Sequence, residues 1–241
     1  MKRTANTFFQ FKQFRIEQER CAMKVSTDAV VLGSLAALKS IPEAILDIGT
    51  GTGVLALMMA QKYPQATIDA VEIDQDAFEQ ATKNIASNKL GLNVNVKHQK
   101  FQHFAIAETQ QYDLIITNPP YYSGQLQSSK QNINLARHEQ GLNFTDLWAG
   151  IDRLLRDKGV LWLILPAYEM EAFIGLGIEK GFYVDSKTLL QDRETSKVHR
   201  VIASLTRRPV QTEVRTLVIK DATNVYTPEY IDLLKEYMLH F

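Results

Sequence analysis

Short apolar runs alternate with amphipathic stretches over most of the chain, and this alternation predicts an α/β domain. Strands are expected where brief runs rich in Ile, Val and Leu end in loop residues, and helices where apolar residues recur every three or four positions. The predicted central strands are Ile45–Ile48, Thr67–Ile73, Asn93–His98, Tyr112–Thr117 and Val160–Leu165. Helical patterns separate them, and strands that alternate with helices form parallel sheets with helices on both faces.

The two ends of the chain follow a different pattern. Thr7–Gln18 alternates loosely between apolar and polar side chains, which predicts one or two short strands before a helix over Ala29–Leu38. Near the other end, Phe182–Leu190 and Val198–Leu205 predict two strands of an antiparallel hairpin, so one edge of the sheet should be antiparallel. We expect residues 1–43 to form an extension with the first helix and residues 44–241 the main domain of a single compact unit.

The stretch Asn118-Pro119-Pro120-Tyr121, directly after a predicted buried strand, carries the most distinctive chemistry. Two prolines fix the backbone and lack amide donors, so the strand ends in a stiff turn at the edge where open α/β sheets bind ligands. The Asn118 side chain and the Pro119 carbonyl can accept both hydrogens of one amino group, and Tyr121 can stack on a planar base. Alone, these residues are equally well explained by a proline-stiffened strand exit.

A glycine-rich turn follows the first central strand. The glycines Gly49, Gly51 and Gly53 precede a helical run, and glycines let a ligand approach the backbone at the start of a helix. Asp47 stands just before the turn, and about 20 residues later the next strand ends in Glu72, where an acid binds ribose hydroxyls. The G-x-G-x-G spacing differs from the G-x-G-x-x-G of dinucleotide-binding proteins.

Composition and charge restrict the interpretation in only a few respects. The 241 residues carry 27 basic and 27 acidic side chains, so net charge favours no class of partner. Basic residues are concentrated near both ends, and such clusters bind phosphates but more often form ordinary solvated surface. The single cysteine, Cys21, excludes an internal disulfide and a cysteine-based zinc site, and we expect no metal. Without a signal peptide or an apolar run of about 18 residues, we expect a cytoplasmic protein with no membrane partner.

Three motifs together resemble those of class I S-adenosylmethionine-dependent methyltransferases, namely LDIGTGTG (Leu46–Gly53), VEID (Val71–Asp74) and NPPY (Asn118–Tyr121). The resemblance covers nearly the whole chain. It implies a Rossmann-like, seven-stranded sheet with an antiparallel last strand, and S-adenosylmethionine as the cofactor. The segment MKVSTDAVVLG (Met23–Gly33) is similar to the bacterial family that methylates adenine N6 next to the anticodon of a valine tRNA. The resemblance therefore implies an enzyme that methylates adenine N6 in tRNA.

The resemblance also implies roles for individual residues. The catalytic residues would be Asn118, Pro119 and Tyr121. The cofactor-binding residues would be Lys24, Thr27, Asp28, Asp47, Gly49, Gly51, Gly53, Glu72, Ile73, Phe101 and Asn118. Lys100 stands where the family usually has an aspartate for the cofactor's adenine, so that contact would come from Gln99 or a neighbouring backbone group. We expect contacts to RNA on one face around Asn118, from Lys12, Arg15, Tyr122, Arg137, Lys197, Arg200 and Arg207.

Several other functions compete with this one. A glutamine-N5 protein methyltransferase shares the core but usually carries a helical domain before the first motif, where only Met1–Glu43 is available. A DNA adenine methyltransferase normally needs a large recognition insert. A catalytically silent cofactor-binding module is disfavoured by the intact Asn118 and Tyr121, and an NAD oxidoreductase by the glycine spacing. The sequence leaves the oligomeric state open, with a monomer favoured.

Overall fold

A mixed eight-stranded sheet forms the centre of the computed structural model, which describes residues 6–120 and 143–241. The strands of the described part are β1 Phe8–Gln10, β2 Arg15–Glu17, β3 Ala44–Ile48, β4 Thr67–Glu72, β5 Val94–His98, β6 Tyr112–Thr117, β7 Leu155–Leu165, β8 Tyr183–Gln191, β9 Arg200–Thr206 and β10 Glu213–Val218. The α-helices are α1 Thr27–Leu35, α2 Val54–Lys62, α3 Gln75–Ala86, α4 Phe101–Ala107, α5 Phe144–Leu154, α6 Ala167–Glu179 and α7 Pro228–Leu234, with a 3-10 turn at Lys89–Asn93.

The strand order confirms the predicted Rossmann-like sheet. The order is β10-β8-β9-β7-β6-β3-β4-β5, and β9 alone runs antiparallel to its neighbours β7 and β8. Seven strands therefore form the expected arrangement with its antiparallel strand. The eighth, β10, was not predicted and pairs in parallel with β8 at the edge. The carboxyl ends of the parallel strands β3, β4, β6 and β7 lie at the same end of the sheet. The glycine turn directly follows β3 there, and Asn118 directly follows β6.

Helices cover both faces of the sheet and create two hydrophobic clusters. One cluster contains the apolar side chains of α1 and α2, and the other contains those of α4, α5 and α6. All five residues of β3 are buried, which explains why four of them are apolar; the exception is Asp47. The helices of the second cluster approach closely at glycines: a Cβ on Gly150 would overlap the Phe101 ring, and one on Gly177 would overlap Trp148.

The amino-terminal extension packs against the main domain. Its strands β1 and β2 form a hairpin in which Phe9 is opposite Ile16. The rings of Phe11 and Phe14 stack with centroids 4.4 Å apart and belong to the same cluster as α1 and α2. Asn84 of α3 fixes the hairpin by accepting from the backbone N–H of Glu17 at 2.9 Å. None of the helices in the described ranges has the length and apolar character needed to cross a membrane.

Candidate active site

The glycine turn leaves open space above the end of β3. Gly49, Gly51 and Gly53 have φ angles of 71°, 55° and 83°, in the left-handed region that glycine adopts without strain. The N–H of Gly49 donates to the carbonyl of Val71 at 2.9 Å, which ties the turn to β4. Among the described residues, and apart from the two chain neighbours of each glycine, no heavy atom lies within 4 Å of the positions that a Cβ would take on Gly49 or Gly51. The turn therefore offers a surface on which a ligand can contact the backbone.

Glu72, the last residue of β4, is held against this turn. Its Oε2 accepts from the N–H of Gly51 at 2.8 Å, and its Oε1 accepts from the N–H groups of Ile73 and Asp74 at 2.8 and 2.9 Å. Three backbone donors fix the orientation of the carboxylate. Its other lone pairs stay available for a hydroxyl donor. The side chain of Ile73 is half-exposed beside it and offers an apolar surface.

Asp47 is a fully buried acid directly below the turn. Its Oδ2 accepts from the Thr50 hydroxyl at 2.5 Å, whereas Oδ1 has no hydrogen-bond partner among the described residues. Burial raises the pKa of Asp47 to about 7; the Thr50 hydrogen bond and the backbone N–H of Ala56 oppose the shift, and the nearby Glu72 carboxylate adds to it. A positive charge placed beside Asp47 would favour its ionised form.

Asn118 and Pro119 extend the neighbouring strand, β6. Ile48 of β3 lies opposite Thr117, whose hydroxyl donates to the Ile48 carbonyl at 2.9 Å. This pairing places Asn118 at the same edge as the glycine turn. Its side chain is partly exposed, and Pro119 is buried. The predicted site residues Tyr121, Tyr122 and Arg137 lie outside the described residues.

A cavity of about 390 Å³ adjoins Asn118. The residues that line it come from the start of α1, the end of β6, the connection from β8 to β9, and the segment after β10. They are Met23, Ser26, Thr27, Asp28, Asn118, Asp192, His199, Arg200 and Ile219. A cavity of this size is typical for a small molecule or a single base.

Asp28 and Arg200 form an ion pair across this cavity. The Nε of Arg200 donates to Oδ2 of Asp28 at 2.7 Å, and its Nη1 donates to the carbonyl of His199 at 2.8 Å. The pair joins the first turn of α1 to the first residue of β9. Arg200 thus lines the same cavity as Asn118, but its guanidinium is engaged by Asp28.

Two other basic residues expected at this face are engaged by groups of the protein itself. Arg207 follows β9 at the amino ends of the parallel strands, where it pairs with Asp152 at 2.9 Å and stacks over Phe182. The Lys12 ammonium is bound by the carbonyls of Lys235 and Phe241. The expectation that these residues share one face with Asn118 therefore fails for Arg207.

Arg15 and Lys24 are likewise held by intramolecular contacts, whereas Lys197 stays exposed. Arg15 lies beside the end of α3, pairs with Glu17 at 2.7 Å and covers the Phe8 ring. Lys24 donates to the carbonyl of Asn6 at 3.0 Å. Lys197, in the connection from β8 to β9, is exposed near the cavity.

The cavity contains residues that the sequence did not single out. Asp192, His199 and Ile219 reach it because β8, β9 and β10 end or begin at this edge. The short segment between two predicted strands was the available signal for Asp192, whereas His199 lies within the predicted strand Val198–Leu205. Phe101, expected at the cofactor, is the first residue of α4 and is buried against Gly150 of α5, and Lys100 occupies the N-cap position of α4 without a side-chain hydrogen bond to the helix. Among the described residues, no group of three or more His, Cys, Asp or Glu side chains is arranged to hold a metal.

Comparison with known proteins identifies the family. The profile of the methyltransferase small domain matches residues 25–167, which is more than half of the chain. The chain belongs to this methyltransferase family. A relative from Flavobacterium johnsoniae, named tRNA1(Val) (adenine(37)-N6)-methyltransferase, is 39% identical over 232 residues, which cover 96% of this chain and 99% of the relative. A relative of the same name from Tolumonas auensis is 40% identical over 232 residues, 96% of each chain.

The fold of this methyltransferase also occurs in solved structures. The crystal structure of a predicted O-methyltransferase from Agrobacterium tumefaciens superposes with a TM-score of 0.70, covering 87% of this chain and 96% of that one. The two sequences are 18% identical, so this similarity concerns the fold. It agrees with the strand order of the sheet.

Proposed function

We propose that this methyltransferase transfers a methyl group from S-adenosylmethionine to N6 of adenine 37 in tRNA1(Val). The observation that carries the proposal is the position of Asn118 and Pro119 at the carboxyl end of β6, beside both the glycine turn and the cavity. The names of the near full-length relatives support the same substrate. A tRNA substrate implies that the protein works in the cytoplasm.

The residues around the glycine turn fit S-adenosylmethionine. The open space over Gly49 and Gly51 admits a ligand against the backbone. Glu72 would accept hydrogen bonds from ribose hydroxyls, and Ile73 would cover a flat base. Asp47, with one oxygen lacking a partner in the described ranges, would favour the cationic amino end. When bound, the cofactor supplies an activated methyl group on a sulfonium sulfur.

Asn118 and Pro119 would prepare the target nitrogen. The amide oxygen of Asn118 and the carbonyl of Pro119 can each accept one hydrogen of the adenine amino group. Accepting both hydrogens localises the nitrogen lone pair and directs it out of the π system of the base. A general base is not needed before transfer, so most of the rate would come from orientation of the reacting groups. The base must also leave its stack, which costs least in a single-stranded loop.

The test is nucleoside mass spectrometry after incubation of a tRNA1(Val) transcript with enzyme and labelled S-adenosylmethionine. We expect labelled N6-methyladenosine at position 37, and none when the transcript carries guanosine there. Asn118→Ala provides the matched inactive control. Methylation of protein glutamine in preference to the transcript would overturn the proposal and favour the glutamine-N5 alternative.

A further inference from the structure

Tyr168 is an exposed aromatic side chain near the candidate active site. It is the second residue of α6, and 84% of its surface is exposed. The apolar face of the same helix is buried through Met170, Phe173 and Ile174. The core therefore gives no reason for an aromatic ring at position 168, although single exposed apolar residues are common on proteins.

The position of Tyr168 follows from the pairing of β6 with β7. Thr117 lies opposite Leu163, so Asn118 is level with Ile164 on the adjacent strand, and adjacent strands are about 4.8 Å apart. Tyr168 is four positions after Ile164 along the chain, a separation of at most roughly 14 Å. Tyr168 thus lies at the same edge of the sheet as Asn118, within reach of nucleotides that flank a base held there.

We propose that Tyr168 stacks on a nucleotide next to the target adenine in the RNA loop. When the target base leaves its stack, the neighbouring base loses a stacking partner, and an exposed aromatic ring can replace it. Such stacking tolerates any base, because every base has a π face. Glu171, three positions after Tyr168 on the same helix, pairs with Lys187 at 2.9 Å, which offsets one negative charge near position 168. This inference rests on the proposed function.

The experiment compares Tyr168→Ala and Tyr168→Trp with the wild type on one tRNA1(Val) anticodon stem-loop. Tyr168→Ala should raise the Kd for this RNA, and the KM in methylation, by about 5- to 100-fold, whereas Tyr168→Trp should keep near wild-type values. Affinity for S-adenosylhomocysteine should stay the same in both variants. Ile178→Ala, near the other end of the same helix and 59% exposed in the wild type, is the matched control and should change nothing.

A 2-aminopurine placed beside the target adenine gives a second measurement. Wild type and Tyr168→Trp should quench its fluorescence on binding more strongly than Tyr168→Ala does. Unchanged RNA affinity and quenching in Tyr168→Ala, with a methylating wild type, would overturn the stacking role and leave the proposed function intact. A loss in Tyr168→Trp equal to that in Tyr168→Ala would also overturn it. A wild type that methylates no RNA would overturn both proposals.

Discussion

Replacing Asp47 by asparagine should stabilise the protein at high pH. Asp47 is fully buried, and its pKa rises from 3.8 to about 7 in the folded chain. The folded state therefore binds this proton more tightly than the unfolded chain, and the associated stability is full below about pH 4 and lost as the pH rises through about 7. At 1.36 kcal/mol per pKa unit, the cost of the ionised buried carboxylate reaches roughly 4 kcal/mol above pH 7.

Urea unfolding of wild type and Asp47→Asn at several pH values measures this cost. Subtracting the two stabilities removes the other titrating groups, because both proteins share them. The difference should grow in favour of the variant by about 3 kcal/mol between pH 4.5 and pH 8. An asparagine oxygen can still accept from Thr50, and the cost of burying its NH2 group is the same at every pH, so that cost does not enter this pH-dependent difference. A difference that does not depend on pH would refute the argument that burial is the cause.

The same substitution should weaken cofactor binding. If Asp47 favours the amino end of S-adenosylmethionine, loss of its charge should cost about 1.5–3 kcal/mol of binding free energy. Calorimetry with S-adenosylhomocysteine at pH 8 would measure this loss in the folded variant. A variant that is more stable but binds S-adenosylhomocysteine more weakly would show that Asp47 favours cofactor binding and destabilises the ligand-free protein. Unchanged affinity would place the cofactor away from Asp47.

Three further predictions concern the site and the RNA. Glu72→Ala should weaken S-adenosylhomocysteine binding in calorimetry by about 1.5–3 kcal/mol, and unchanged affinity would remove Glu72 from the site. Asn118→Ala should lower kcat at least about tenfold with cofactor binding intact, whereas Asn118→Asp should keep part of the activity; a smaller loss would refute the lone-pair argument. In filter binding across a salt series, Lys197→Gln should flatten the slope of log affinity by about 0.7–0.9, and Arg207→Gln should leave it unchanged. Equal effects of the two substitutions would contradict the placement of Lys197 and Arg207 at opposite ends of β9.

The central strands and the glycine turn were predictable because their signals are local. Burial on both faces makes β3 and β6 predominantly apolar, with Asp47 and Asp113 as the charged exceptions, and such short runs stand out against the amphipathic helices. The turn needs positive φ at Gly49, Gly51 and Gly53, so glycine itself marks the place. Asn118 follows a strand that its apolar residues define. For these elements, the residues of one short segment contain most of the information.

Two elements were missed because their partners supply most of their stability. Strand β10 has four exposed residues at its start and joins the sheet only through its parallel pairing with β8. Its sequence therefore lacks the apolar run by which strands are found. Helix α4 is seven residues long, and isolated helices of that length are marginal, so it depends on Phe101 and Phe104 packing in the second core cluster.

The positions of Arg200 and Arg207 depend on the direction of one strand, β9. Arg200 is the first residue of β9 and Arg207 directly follows the strand, so the two are close in sequence and both were expected to contact RNA. β9 runs antiparallel to β7, with Val201 opposite Leu165 and Thr206 opposite Val160. The first residue of β9 therefore lies at the carboxyl ends of the parallel strands, as Asn118 does, and its last residue lies at their amino ends. Charge alone does not contain this information. It comes from the pairing, which separates Arg200 at the cavity from Arg207 at the amino ends of the parallel strands, and it leaves the exposed Lys197 as the better candidate for a phosphate contact.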